Sequence, residues 1–167
     1  MKKLISIILL AFLLPTTGNT EDVHKHEEHL KVSGVNALSP DLRNLLSEEM
    51  KALQSGMMSI IPAYVSGNWS EIETTAKKIK NSYILKQRLT ESQVKDLHSA
   101  LPPEFFDKDQ RFHYLAGMLE HAAKSEKPEL INFYFSEMNE SCASCHSVFA
   151  THKFPALKAT EKDGHVH

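Results

Sequence analysis

The only two cysteines of this 167-residue chain stand within one five-residue stretch, Cys142-Ala143-Ser144-Cys145-His146. Two thiols and an imidazole at this spacing match covalent c-type haem attachment. The sulfurs can form thioethers to the haem vinyl groups, and the neighbouring imidazole can place a ring nitrogen on the iron. Taken alone, the five residues also fit a disulfide redox pair, part of a zinc site or a structural bridge. A catalytic zinc needs about three protein ligands, which Cys142, Cys145 and His146 could make, but no evident group supplies an activating second layer. A thioredoxin-like pair belongs near a βαβ pattern, whereas this pair lies deep in a C-terminal helical run.

That run begins at about Pro128 and carries Leu130, Phe133, Tyr134, Met138, Cys142, Cys145 and Phe149. The motif is therefore expected inside a helix. Spacings of i, i+3 and i+4 put both sulfurs and the imidazole on neighbouring parts of one face. Upstream, Ser39-Pro40-Asp41 makes a helix start, with Ser39 as cap and Pro40 in the first turn. Leu46, Met50, Leu53, Met57, Ile60 and Tyr64 then alternate by four and three, the seam of a helix packed in a bundle, which ends around Pro62 to Gly67. Asn68 and Glu71 resemble a capping box for a second helix, whose seam of Ile72, Ala76, Ile79 and Tyr83 runs to about Lys86. A long connection follows, with a short helix from Thr90 stopped by Pro102-Pro103. A third long helix starts near Asp107 and presents Phe112, Leu115, Leu119, Ala122 and Ala123. Four long helices and no strand pattern give an all-α chain, most economically an antiparallel four-helix bundle.

The ends read differently. Met1-Lys2-Lys3 followed by an apolar run to about Pro15 and by small polar residues is a secretory signal over residues 1–18, with cleavage expected at 18–20. The run is shorter than the roughly 20 apolar residues of a membrane span, so no stable anchor is expected. Removing Lys2 and Lys3 takes the formal charge from −2 to −4, which argues against nucleic acid as a partner. Residues 19–37 form a polar leader with His24, His26 and His29, and residues 156–167 a tail with His165 and His167. Both read as flexible, solvated segments. With 41% hydrophobic residues, the intervening chain has enough apolar content for one core. No phosphate loop and no nucleophile elbow is present, so nucleotide and hydrolase readings have no support.

Over roughly residues 38–155 the chain resembles the cytochrome c-prime family of class II c-type cytochromes. The likeness is carried most by Phe112 through Phe149, where an alanine-bearing helix, a short turn and a last helix ending in Cys142-Ala143-Ser144-Cys145-His146 follow the family's order. It implies one covalent haem c, thioethers at Cys142 and Cys145, and His146 as proximal iron ligand. Members of the family differ in what faces the iron from the other side. Counting back from the proline near the end of the first helix, Met50 falls at the distal position, with Met57 or Met58 as substitutes if the helix phase differs. An arginine one turn before the distal residue is frequent in relatives. Here that position is Leu46, and Arg43 is the nearest candidate for a propionate contact. A basic residue four places after the histidine, common in gas-binding members, is replaced by Ala150.

The resemblance implies a periplasmic electron carrier, not an enzyme, whose iron cycles between ferric and ferrous states with His146 and Met50 as axial ligands. Its partners would be redox proteins docking transiently, and a homodimer through the first two helices is common in the family. The nearest rival is a five-coordinate cytochrome that binds nitric oxide or carbon monoxide, with Met50 as a distal wall. A rival of another class is a haem-free metal-binding or thiol protein using the terminal histidines and the Cys142-Cys145 pair.

Overall fold

The computed structural model describes residues 34–158 of the chain. The expected signal segment, most of the expected leader and the expected tail from residue 159 onward lie outside the described residues. The fold is all-helical: α1 (Pro40–Val65), α2 (Trp69–Lys80), α3 (Leu85–Arg88), α4 (Glu91–Ala100), α5 (Pro103–Lys124) and α6 (Pro128–Phe149), with short 3-10 turns at Val35–Ala37 and Pro155–Leu157. No strand occurs among the described residues, and no helix there is long and apolar enough to cross a membrane.

Local chemistry sets most of the boundaries. The Ser39 hydroxyl accepts from the Leu42 amide at 3.3 Å and Pro40 opens α1, satisfying one of the free amides of the first turn. The Asn68 side chain accepts from Glu71 N at 3.2 Å to start α2. Thr90 and Gln93 bond reciprocally in a full capping box at the start of α4, which uses two amides that would otherwise lack partners.

Two boundaries depart from the sequence reading. The second helix ends at Lys80 instead of Lys86, because Ser82 takes a positive φ of 58° and the chain turns into the separate helix α3. The third long helix begins at Pro103, four residues before the expected start. Pro103 there is a first-turn residue whose missing N–H costs nothing, so the Pro-Pro pair ends α4 and opens α5 at once. At the N-terminal side, Gly34 N donates to Ala100 O at 3.0 Å and the turn at Val35–Ala37 leads into the buried Leu38. The expected leader therefore meets folded chain before residue 38.

The close helix pairs are α1 with α2, α2 with α5 and α5 with α6. They share one core of Leu53, Met57, Ile60, Ile72, Ile79, Leu115, Leu119, Ile131 and Met138, and each fully buried aliphatic side chain there contributes about 1.5–3 kcal/mol relative to exposure. The Lys80 ammonium pairs with the Glu120 carboxylate between α2 and α5. His113 is buried against α2, with Nδ1 2.7 Å from Ile79 O and Nε2 3.4 Å from Asp109, which accounts for it as a satisfied core histidine. A second cluster gathers Leu38 just before α1, Leu42 and Leu46 of α1, Leu97 of α4 with Leu101 just past its end, and Phe105, with Phe149 of α6 packed against it.

Helix α1 runs opposite to α6. At one end Tyr64 Oη donates to Pro128 O at 3.3 Å; at the other, Leu42 and Leu46 share a cluster with Phe149. Between those ends α1 and α6 are less closely paired than the other neighbouring long helices. The Cys142–His146 stretch lies on one of the two helices that border this looser seam.

Candidate functional site

Cys142, Cys145 and His146 sit within the last two turns of α6. Helical rotation of about 100° per residue puts Cys142, Cys145 and Phe149 on the same side as the fully buried Ile131 and Met138, with His146 at its edge. All three motif residues are half-buried and both thiols are free. The face that carries them is thus turned toward the core, on a helix only loosely paired with α1.

The electrostatics of the motif favour neutral groups. Burial pushes the Cys145 thiol up to about 11, with the Lys108 ammonium pulling the other way, and burial raises Cys142 as well. Burial, followed by the nearby Lys153 charge, lowers His146 below the ordinary histidine range. A neutral imidazole is the form that binds a metal. A reactive dithiol or a zinc site needs thiolates, which positive surroundings stabilise and apolar burial opposes.

Three features around the motif, and a fourth on α1, could not be read from spacing alone. Lys108 of α5 donates to Ser144 Oγ at 3.0 Å, setting a half-buried cation near Cys145. Phe105 and Phe149 meet edge to face at 5.3 Å, closing the end of the site. Phe154 stacks on His146 with ring centroids 4.5 Å apart. The fourth feature is Glu49, which is 1% exposed. Its carboxylate accepts from Ser82 Oγ at 2.8 Å, Tyr83 N at 2.9 Å and Leu85 N at 3.2 Å, and from Ile84 N as well. A buried carboxylate is tolerable only when its lone pairs are filled in this way.

Glu49 corrects the seam expected for the first helix. The inward positions are Leu42, Leu46, Glu49, Leu53, Gly56, Met57, Ile60 and Ala63, so the buried arc is turned toward Glu49 and Met50 lies at its edge, 37% exposed. Glu49 faces the segment 82–85, and Met50 projects about 100° away from it. A groove lined by Ala52, Gly56, Ser59, Thr75, Lys78 and Tyr83 lies on the Glu49 side of α1, away from Met50.

The antiparallel register relates α1 to the motif. Counting equal lengths from the Tyr64–Pro128 bond, about 21 Å at about 1.5 Å per residue, brings Met50 level with Cys142. Leu46 comes level with His146 by the same count. Met57 is level with Phe135 and 7% exposed in the core, while Met58 is 64% exposed and rotated about 80° from Met50. Met118 is half-buried and Met138 fully buried. Arg43 shares Met50's side of α1, is exposed, and donates from Nη1 to Asn36 O at 3.2 Å.

The residues present fit a covalent haem group. Two free cysteines and a histidine share the core-facing side of α6, α1 is only loosely paired with that helix, and by the count from Tyr64–Pro128 a methionine of α1 comes level with the first cysteine. Among the described residues no cluster of three or more His, Cys, Asp or Glu, the Cys142–His146 stretch included, is arranged to hold a bare metal ion, and the histidines of the leader and tail lie outside those residues. Comparisons with models of known families, with characterised proteins and with solved structures found no match to this chain.

Proposed function

We propose that this chain is an exported, periplasmic mono-haem c-type cytochrome of the cytochrome c-prime kind that carries electrons. In this reading α1, α2, α5 and α6 are the four helices of an antiparallel bundle, and Cys142, Cys145 and His146 of α6 with Met50 of α1 would hold the haem. The observation that carries the proposal is the conjunction of Cys142, Cys145 and His146 on the inward face of α6 with Met50 at the same level of α1.

Covalently held haem supplies an iron centre that takes up and releases one electron. The chain's own residues set its behaviour. Cys142 and Cys145 would tether the group to α6, and His146, held toward its neutral form by burial, would offer a ring nitrogen to its iron. Met50 offers a soft thioether, which favours the ferrous state and raises the potential. Leu46, Leu53 and Phe149 make the surroundings apolar, which disfavours extra charge on the oxidised site. Glu49 fixes the rotation of α1 and thereby aims Met50 away from the segment 82–85. Arg43, on the Met50 side of α1, is the residue available to a propionate. Redox proteins would dock transiently, and a homodimer through α1 and α2 is compatible with the exposed Met58, Ile61 and Val65.

One observation favours a second reading. Leu46, an apolar residue, is level with His146, and a distal wall built on it would leave a five-coordinate iron open to nitric oxide or carbon monoxide. Spectra of the reduced, haem-loaded protein separate the two. A low-spin spectrum that carbon monoxide leaves unchanged supports Met50 ligation, and rapid carbon monoxide binding overturns it. Met50→Ala should convert low-spin to high-spin iron. An unchanged spectrum would overturn Met50 as the ligand, and the fallback residues Met57, level with Phe135 in the core, and Met58, 64% exposed, are not placed to replace it.

A further inference from the structure

Past the end of α6 the chain turns back on itself. Ala150 N donates to His146 O at 3.0 Å, and the Ala150 carbonyl accepts from both Lys153 N at 2.9 Å and Phe154 N at 3.0 Å. Two donors on one carbonyl close a tight turn, and the 3-10 turn Pro155–Leu157 continues it, with Leu157 N donating to Phe154 O at 3.0 Å. That 3-10 turn packs against α6. The consequence is a parallel stack, in which the Phe154 ring lies 4.5 Å from the His146 ring at 10° between planes.

Core burial does not explain this contact. Phe154 remains 42% exposed and belongs to neither apolar cluster. A large aromatic ring is left partly in water while one of its faces covers the imidazole. The terminal torsion of a histidine is broad and roughly two-fold, so a ring pressed flat against it selects one plane out of that range. For an axial ligand the plane matters, because it sets how the nitrogen's π orbital meets the d orbitals of the iron.

We propose that Phe154 is a positioning residue for the proximal ligand: it holds the plane of the His146 ring and covers one face of it against water. The inference rests on the reading of His146 as an iron ligand. It assigns the segment 150–157, which follows the attachment motif and lies outside the four long helices, to the support of that ligand.

The test uses the full chain with and without haem, and the variants Phe154→Leu and Phe154→Tyr. In the haem-free chain, proton NMR should find the His146 ring protons shifted upfield by the stacked ring, with the shift lost in F154L and kept in F154Y. In the ferric haem-loaded chain, the spread of the haem-methyl hyperfine shifts reports the imidazole plane. It should change in F154L and stay as in the parent in F154Y. Dissociation of His146 from the iron should also be about two- to tenfold faster in F154L, the range of a single aromatic stack. Circular dichroism checks that each variant keeps its helices. A haem-bearing chain whose F154L variant retains the parent hyperfine pattern and dissociation rate overturns the inference alone. A chain that takes up no haem overturns both the cytochrome reading and the inference resting on it.

Discussion

Tyr64 and Pro128 join the end of the first long helix to the start of the last through one hydrogen bond of 3.3 Å, hydroxyl to carbonyl. The bond sets the register of two helices that are otherwise loosely paired, and through it the level of Met50 against Cys142. Tyr64 also meets Trp69 edge to face at 5.7 Å, so replacing it by Phe removes the hydroxyl and keeps the ring. Tyr64→Phe should lower stability by about 1 kcal/mol, the usual net value of such a bond. Urea unfolding measures this, and an unchanged midpoint would show that other contacts hold the register.

Glu49 is the strongest polar tie between α1 and the α2–α3 connection. Glu49→Ala strands the amides of Tyr83, Ile84 and Leu85 and the Ser82 hydroxyl, and should cost about 3 kcal/mol. Glu49→Gln keeps one acceptor oxygen and turns an amide nitrogen toward the remaining donors, for about 2 kcal/mol. Losses below about 0.5 kcal/mol for both would mean that the segment 82–85 keeps its place without the carboxylate.

The two thiols give a pH dependence of known sign. Burial raises Cys145 to about 11 and Cys142 in the same direction, so in the haem-free folded chain both hold their protons longer than when unfolded. Their contribution to stability is intact below the unfolded thiol value, about 8.5, and is lost as pH rises toward about 11. At pH 8 the Cys145 thiolate amounts to about one part in a thousand. Iodoacetamide labelling of Cys145 should therefore be slow in the folded haem-free chain and speed up about a hundredfold in urea. Fast labelling of the folded chain near neutral pH would instead favour a thiol-reactive protein.

Much of the helix layout is legible in the residues. Ser39-Pro40, Asn68 with Glu71, and Thr90 with Gln93 cap their helices as their types dictate, and Pro128 through Phe149 is helical with the motif inside it. The end of α2 is not legible. Ile79 and Tyr83 keep a helical spacing, and the break at Ser82 is held by a carboxylate from another helix. The phase of α1 is hidden for the same reason. A count of apolar positions cannot enrol a glutamate, so it places Met50 in the seam when Glu49 occupies it and Met50 stands at its edge. Phe154 escapes notice because its partner is reached by a turn of the backbone after the helix has ended. Lys108 is likewise brought to Ser144 by the packing of α5 on α6.

The cytochrome reading depends first on covalent haem, and the pyridine haemochrome assay on chain expressed with the cytochrome c maturation machinery measures it most directly. One covalently bound haem c per chain is expected, lost when Cys142 and Cys145 are both replaced by Ser. A purified wild-type chain carrying no covalent haem would contradict the reading, and would leave a haem-free metal-binding or thiol protein in its place.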